Sequence, residues 1–190
     1  EVAVPTGTYE SLAAAARADS PLAAMADRFG AEIVEDYRYE LDSGTDFLVE
    51  LALDHGDASL DDVLRMNGGI DAHAISRGKG VTLCIVDTGV DGSHPEFSPA
   101  RRGGGWAPIG EDAWTDWEGH GTMCMTIAGA GSGDGSRYLG VAPDATLVSC
   151  RTYFYDSELT AIYDMLTDRA KAGEKVVASN SFGNRTGTPP

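Results

Sequence analysis

Three near-continuous apolar stretches mark the chain from residue 81 onward, at residues 81–86 (Val-Thr-Leu-Cys-Ile-Val), 145–150 (Ala-Thr-Leu-Val-Ser-Cys) and 175–182. Runs of this kind, without strict polar alternation, suit strands buried on both faces of a sheet. Helical spacing separates them. Residues 120–130 form one such stretch. In the other, 157–172, Leu159, Ile162, Tyr163, Leu166 and Ala170 recur at three- and four-residue intervals, and Ser157 offers a cap. The order strand, helix, strand, helix, strand predicts parallel strands joined by crossovers, an α/β layer.

The first third of the chain has a different pattern. Residues 9–18 are Ala-rich and helical in character. A second helix is expected between Pro21, at its first position after the Ser20 cap, and Gly30, which stops it. Residues 32–39 and 46–53 resemble strands, with Asp42-Ser43-Gly44 as turn chemistry between them. Ser59-Leu60-Asp61-Asp62 resembles a capping box opening a short helix that ends near Gly68. Residues 1–66 therefore predict a small α+β region, and residues 67–190 a separate α/β region.

Composition narrows the function. The 190 residues carry 30 acidic and 14 basic side chains, a formal charge of −16. Nucleic acids and anionic membranes need a basic patch, so neither is expected as a partner. No stretch is apolar enough to predict a membrane span. Cys84, Cys124 and Cys150 form no Cys-x-x-Cys pair and sit in apolar surroundings, which predicts buried free thiols.

The candidate chemistry lies at the ends of these elements. Functional groups of open parallel sheets collect at the carboxyl ends of strands. Asp87 closes the first apolar run, and Thr88-Gly89 lets the chain turn there. His120 opens a helix, framed by Gly119 and Gly121. A carboxylate and an imidazole so placed are two members of a nucleophile–base–orienter set. Asp87 would fix the imidazole tautomer, and His120 would take a proton from an attacking hydroxyl. No Gly-x-Gly-x-x-Gly or Walker loop follows the first strand, which disfavours a nucleotide binder.

The strings around these residues are specific. Val86-Asp87-Thr88-Gly89-Val90-Asp91, followed by His94-Pro95-Glu96-Phe97, resembles the Asp signature of subtilisin-like serine proteases. Asp116-Trp117-Glu118-Gly119-His120-Gly121-Thr122 resembles their His signature. Gly140-Val141-Ala142-Pro143 resembles the turn before the next strand, and Ser179-Asn180-Ser181-Phe182-Gly183 the strand lining the substrate cleft. The four occur in family order.

The resemblance implies a partial subtilisin-like parallel sheet with flanking helices, and peptide-bond hydrolysis by an Asp-His-Ser triad. Asp87 and His120 would be catalytic, and Ser181, Phe182 and Gly183 would bind a polypeptide substrate through their main chain. Cys124 matches a free cysteine beneath the active-site His of some members, so bulky thiol reagents and mercurials should inhibit. Residues 1–66 resemble, less specifically, the ferredoxin-like propeptide of these proteases. Members often bind structural calcium between the residue after His-Pro and a loop beyond the His helix. That assigns Glu96 and Asp134 as metal ligands, with no cofactor needed for the chemistry itself. A secreted protein is implied. The family's Gly-Thr-Ser nucleophile motif and its oxyanion Asn are absent from the 190 residues. This chain alone is therefore expected to be inactive, its serine coming from a C-terminal portion in cis or a second chain. The alternative is an inactive subtilase-like binding or regulatory module.

Overall fold

The computed structural model describes residues 40, 41, 64, 65, 67–131 and 139–183. The helices expected within 9–30, most of the two strands expected within 32–53, and Asp134 lie outside the described residues. In chain order the elements are β1 (Glu40–Leu41), α1 (Gly69–His73), β2 (Thr82–Asp87), β3 (Arg102–Trp106), α2 (His120–Gly129), β4 (Thr146–Arg151), α3 (Asp156–Lys171), β5 (Val176–Asn180) and β6 (Phe182–Gly183). A single 3-10 turn, Pro99–Arg101, leads into β3.

Four strands form one parallel sheet in the order β3-β4-β2-β5. All six residues of β2 are buried, because β2 has a strand on each side and a helix over each face. Its side chains alternate. Leu83 and Ile85 pack with Val90, Phe97, Met125 of α2, Ala145 and Leu147. Cys84 and Val86 pack with Val148, Cys150 and the α3 residues Leu159, Ile162 and Leu166. Two opposite faces, each apolar, explain why the sequence of this strand does not alternate.

The α3 apolar residues 159, 162 and 166 follow helical spacing and face the sheet. Asp156 and Glu158 in its first turn and Arg169 and Lys171 in its last suit the helix dipole. The helix begins at Asp156, with Tyr155 as N-cap and no side-chain capping bond, so Ser157 is not the cap. Glu158 reaches back instead and accepts hydrogen bonds from the Tyr153 amide and the Thr152 hydroxyl, each at 2.7 Å.

Three elements differ from the sequence expectation, and one is α1, which starts at Gly69 after the Gly68 where a helix is expected to end. β3 (Arg-Gly-Gly-Gly-Trp) has the composition of a loop, yet it pairs with β4 through a register shift between Arg102 and Gly105. A Cβ on Gly105 would run into the Ser149 carbonyl and Ala113, so only a glycine lets the two backbones approach. The third apolar run breaks at Ser181, giving β5 and then the two-residue β6, which pairs antiparallel with β1: Glu40 opposite Gly183 and Leu41 opposite Phe182. No helix among the described residues is long and apolar enough to cross a membrane.

Ile162 is fully buried between α3 and the sheet. Ile162→Ala should lower the unfolding free energy by about 2–5 kcal/mol in urea titration, from lost transfer energy and a residual cavity. Asp164→Ala, on the exposed side of the same helix, should stay within about 0.5 kcal/mol of the parent. Similar losses at the two positions would mean that this face of α3 is not what holds the helix to the sheet.

Candidate active site

Asp87 is the last residue of β2 and shares the face of Leu83 and Ile85, the face that α2 covers. His120 is the first residue of α2. Strand alternation and the helix start thus aim the two side chains at each other. The His120 Nδ1 lies 2.8 Å from Asp87 Oδ1 and 3.0 Å from Oδ2, and both residues are buried. The Thr88 amide donates to Asp87 Oδ1 at 2.8 Å and holds the carboxylate from the other side.

The backbones must come unusually close for this contact. A Cβ on Gly121 would collide with the Gly89 carbonyl and press on the Asp87 side chain. Gly89 itself has φ +105°, a left-handed value that suits glycine. These two glycines, one inside each signature, are therefore what lets the helix start rest on the strand end.

Burial pushes the Asp87 carboxyl above its usual range, and the bonds from His120 and Thr88 pull it back only in part. Cys124, one turn along α2, lies beneath the imidazole. Its Sγ is 3.8 Å from His120 Nδ1 and donates to Ser181 Oγ at 3.6 Å. Burial first, and the Asp87 charge after it, push this thiol up to about 11 against the help of Ser181. At neutral pH it is protonated and no rival nucleophile. Asp87, His120 and Cys124 are also the described residues whose ligand atoms, all within 4.8 Å of one another, could hold a metal ion.

Asp116 was part of a signature in the sequence but carried no role there. Its carboxylate accepts five hydrogen bonds, from Thr88, Glu118, Gly119 and, twice, Thr122. Burial opposes its ionisation, yet the donated bonds outweigh that cost and hold it below the usual carboxylate range. The signal that singles it out is tertiary, since its partners span residues 88–122.

The expected substrate strand is divided. Phe182 and Gly183 form β6, while Ser181 lies in the break before it and turns its hydroxyl to Cys124. The Phe182 ring packs on Phe154, with centroids 5.1 Å apart. Glu96 is buried, and its carbonyl accepts from the Gly131 amide at 3.3 Å. The carbonyls of Gly129 and Gly131, where the chain leaves α2 and enters the expected calcium loop, accept from the Arg101 guanidinium at 2.9 and 2.5 Å. Calcium takes 6–8 oxygens. The described residues here offer one carboxylate and carbonyls already turned to a cation, so they do not by themselves make a calcium cage.

The sequence matches known proteins over part of its length. Mycosin-1 of Mycobacterium tuberculosis is 39% identical over 84 residues, 44% of this chain and 18% of that protein. Thermitase of Thermoactinomyces vulgaris is 34% identical over 116 residues, 60% of this chain and 41% of that protein. The crystal structure of MycP1 with the N-terminal propeptide removed aligns with 62% of this chain and 36% of its own, at 27% identity and a TM-score of 0.46. The chain spans less than half the length of these relatives. The model of the subtilase family matches residues 78–190, more than half of the chain, from ahead of the strand that carries Asp87 to beyond β6. The chain belongs to the subtilase family.

Proposed function

We propose that this chain supplies the acid–base half of a serine endopeptidase. The observation that carries the reading is the buried 2.8 Å contact between Asp87 and His120 Nδ1 at the carboxyl end of a central parallel strand. A carboxylate only accepts, so Nδ1 carries the proton and Nε2 is left as the base. In the first step Nε2 takes the proton of a serine hydroxyl as it attacks the peptide carbonyl. The imidazolium then returns that proton to the leaving amine. Asp87 keeps the ring in one tautomer and steadies its positive charge. The serine and the oxyanion donor come from sequence outside these 190 residues, in cis or on a second chain.

The substrate would bind as an added strand on Phe182–Gly183. The edge of β6 already accepts an extended antiparallel partner, the chain's own Glu40–Leu41. That pairing supports the reading of residues 1–66 as a propeptide-like region competing with substrate for the same edge. Glu96 and Asp134 are kept as the proposed calcium ligands, but no step of the chemistry passes through a metal.

The test uses the complete protein and a fluorogenic peptide. Asp87→Asn should lower kcat by about 10⁴-fold and His120→Ala by about 10⁶-fold, with little change in KM. A fluorophosphonate probe should label the parent. A folded parent that takes no label and cleaves nothing would make the protein a subtilase-like binding module instead.

Mercurials form a second test. A bulky organomercurial on Cys124 must displace the imidazole above it. Inhibition should approach completion in the parent and vanish in Cys124→Ser, with the label count read by mass spectrometry. Persistent inhibition in Cys124→Ser would place the sensitive thiol elsewhere.

A further inference from the structure

Asp87 and His120 lie 33 residues apart and on different elements. One hydrogen bond between their side chains cannot alone fix the position of the imidazole, because both backbones could drift together with it. We propose that Thr88 and Asp116 form a clamp that positions His120 against Asp87. The proposal rests on the protease reading and concerns residues to which that reading gives no role.

The geometry begins at Thr88, next to Asp87 in the chain and fully buried. Its Oγ1 accepts from the amide of Gly121, next to His120, at 2.9 Å and donates to Asp116 Oδ1 at 2.7 Å. The directions are not a matter of choice. An amide N–H can only donate and a carboxylate can only accept, so the one hydroxyl proton must point to Asp116. Only a serine or threonine of this size does both at once. Threonine's branched Cβ also restricts χ1 and holds the oxygen between its two partners.

Asp116 carries the connection to both sides of His120. It accepts from the amides of Glu118 and Gly119, which precede the imidazole, at 3.1 and 2.9 Å. It also accepts from the amide of Thr122, two residues beyond, at 2.8 Å and from the Thr122 hydroxyl. Thr122 Oγ1 in turn accepts from the Asp91 amide at 2.9 Å, so the strand-end loop is bound a second time. A negative charge at this end of α2 also suits the helix dipole. The result is a closed path from the strand end to the helix start that bypasses the Asp87–His120 bond itself. Misplacing a catalytic group by about 1 Å costs on the order of 10²-fold in rate, which is the scale on which such a clamp acts.

The test is a double-mutant cycle in the complete protein. Thr88→Val and Asp116→Asn should each lower kcat by about 10- to 100-fold with KM within about threefold. Thr88→Ser, which keeps the hydroxyl, should restore kcat to within about threefold of the parent. The two defects should not add, since either change opens the same path. A readout independent of hydrolysis is the low-field proton resonance of His120 Nδ1, the proton shared with Asp87. It should be present in the parent and in Thr88→Ser, and broadened or displaced in Thr88→Val and Asp116→Asn.

Near-ultraviolet circular dichroism establishes that each variant is folded. If Thr88→Val does not fold, Thr88→Ser and Asp116→Asn decide. A folded Asp116→Asn or Thr88→Val with parental kcat and a parental Nδ1 resonance would overturn the clamp, as would fully additive losses. Fluorophosphonate labelling of the parent reports separately on the protease reading. An unlabelled parent whose resonance still responds to these substitutions would remove the protease and leave the clamp.

Discussion

The phase of β2 is the constraint on which the rest depends. A strand exposes alternate residues to opposite faces, and here both faces are buried. Leu83 and Ile85 face α2, so Asp87 must face α2 as well. A slip of one residue would turn Asp87 toward α3, away from His120, and would bury a carboxylate among Val148, Cys150 and Leu159. The core therefore fixes the site: the packing that makes the sheet stable leaves the acid one possible direction.

Burial at this rim acts differently on each ionisable group. Asp87 has its His120 contact and one amide, and burial still raises it. Asp116 is half-buried, has five donated bonds and is lowered. The contrast follows from how many hydrogen bonds reach each carboxylate. Among the bonds that reach Asp87 the largest stabilising one is from His120, so its charge responds to the state of that partner. That coupling suits the orienting role proposed for Asp87, because a carboxylate is most stabilised when the imidazole beside it becomes positive. Asp116 is ionised whatever the imidazole does, which suits a fixed anchor.

The sheet and its helices were legible because buried strands and an amphipathic helix leave strong local patterns. The first two apolar runs became the buried strands β2 and β4, the third split at Ser181 into the less buried β5 and β6, and α3 kept the spacing that Leu159, Ile162 and Leu166 predict. Asp87 and His120 were legible through the strings around them. β3 was not, because three consecutive glycines carry no strand propensity. Its pairing depends on how close β4 can come once side chains are absent. Ser157 looked like a cap because the residue type suits one, but the carboxylate of Glu158 holds the approach to α3 from one position later. Thr88 and Asp116 look like ordinary turn residues in sequence, and their partners become visible only when residues 88 and 116–122 are brought together.

Phe154 shows how backbone strain at one end of the sheet is offset by packing against β6. It is the described non-glycine residue with a left-handed backbone, φ 68°. That conformation costs roughly 1–2 kcal/mol for an L-residue. Full burial of a phenylalanine side chain contributes about 1.5–3 kcal/mol, and Phe154 is only 2% exposed. The burial is therefore large enough to offset the strain. The Phe154 amide also donates to Thr152 Oγ1 at 2.8 Å, which steadies the turn. What the turn achieves is a ring placed against Phe182, in the strand whose backbone pairs with Glu40–Leu41. A relaxed backbone at 154 would point the ring elsewhere and leave Phe182 without this neighbour. The strained residue thus belongs to the same design as the buried acid, with core packing setting the direction of a group at the rim.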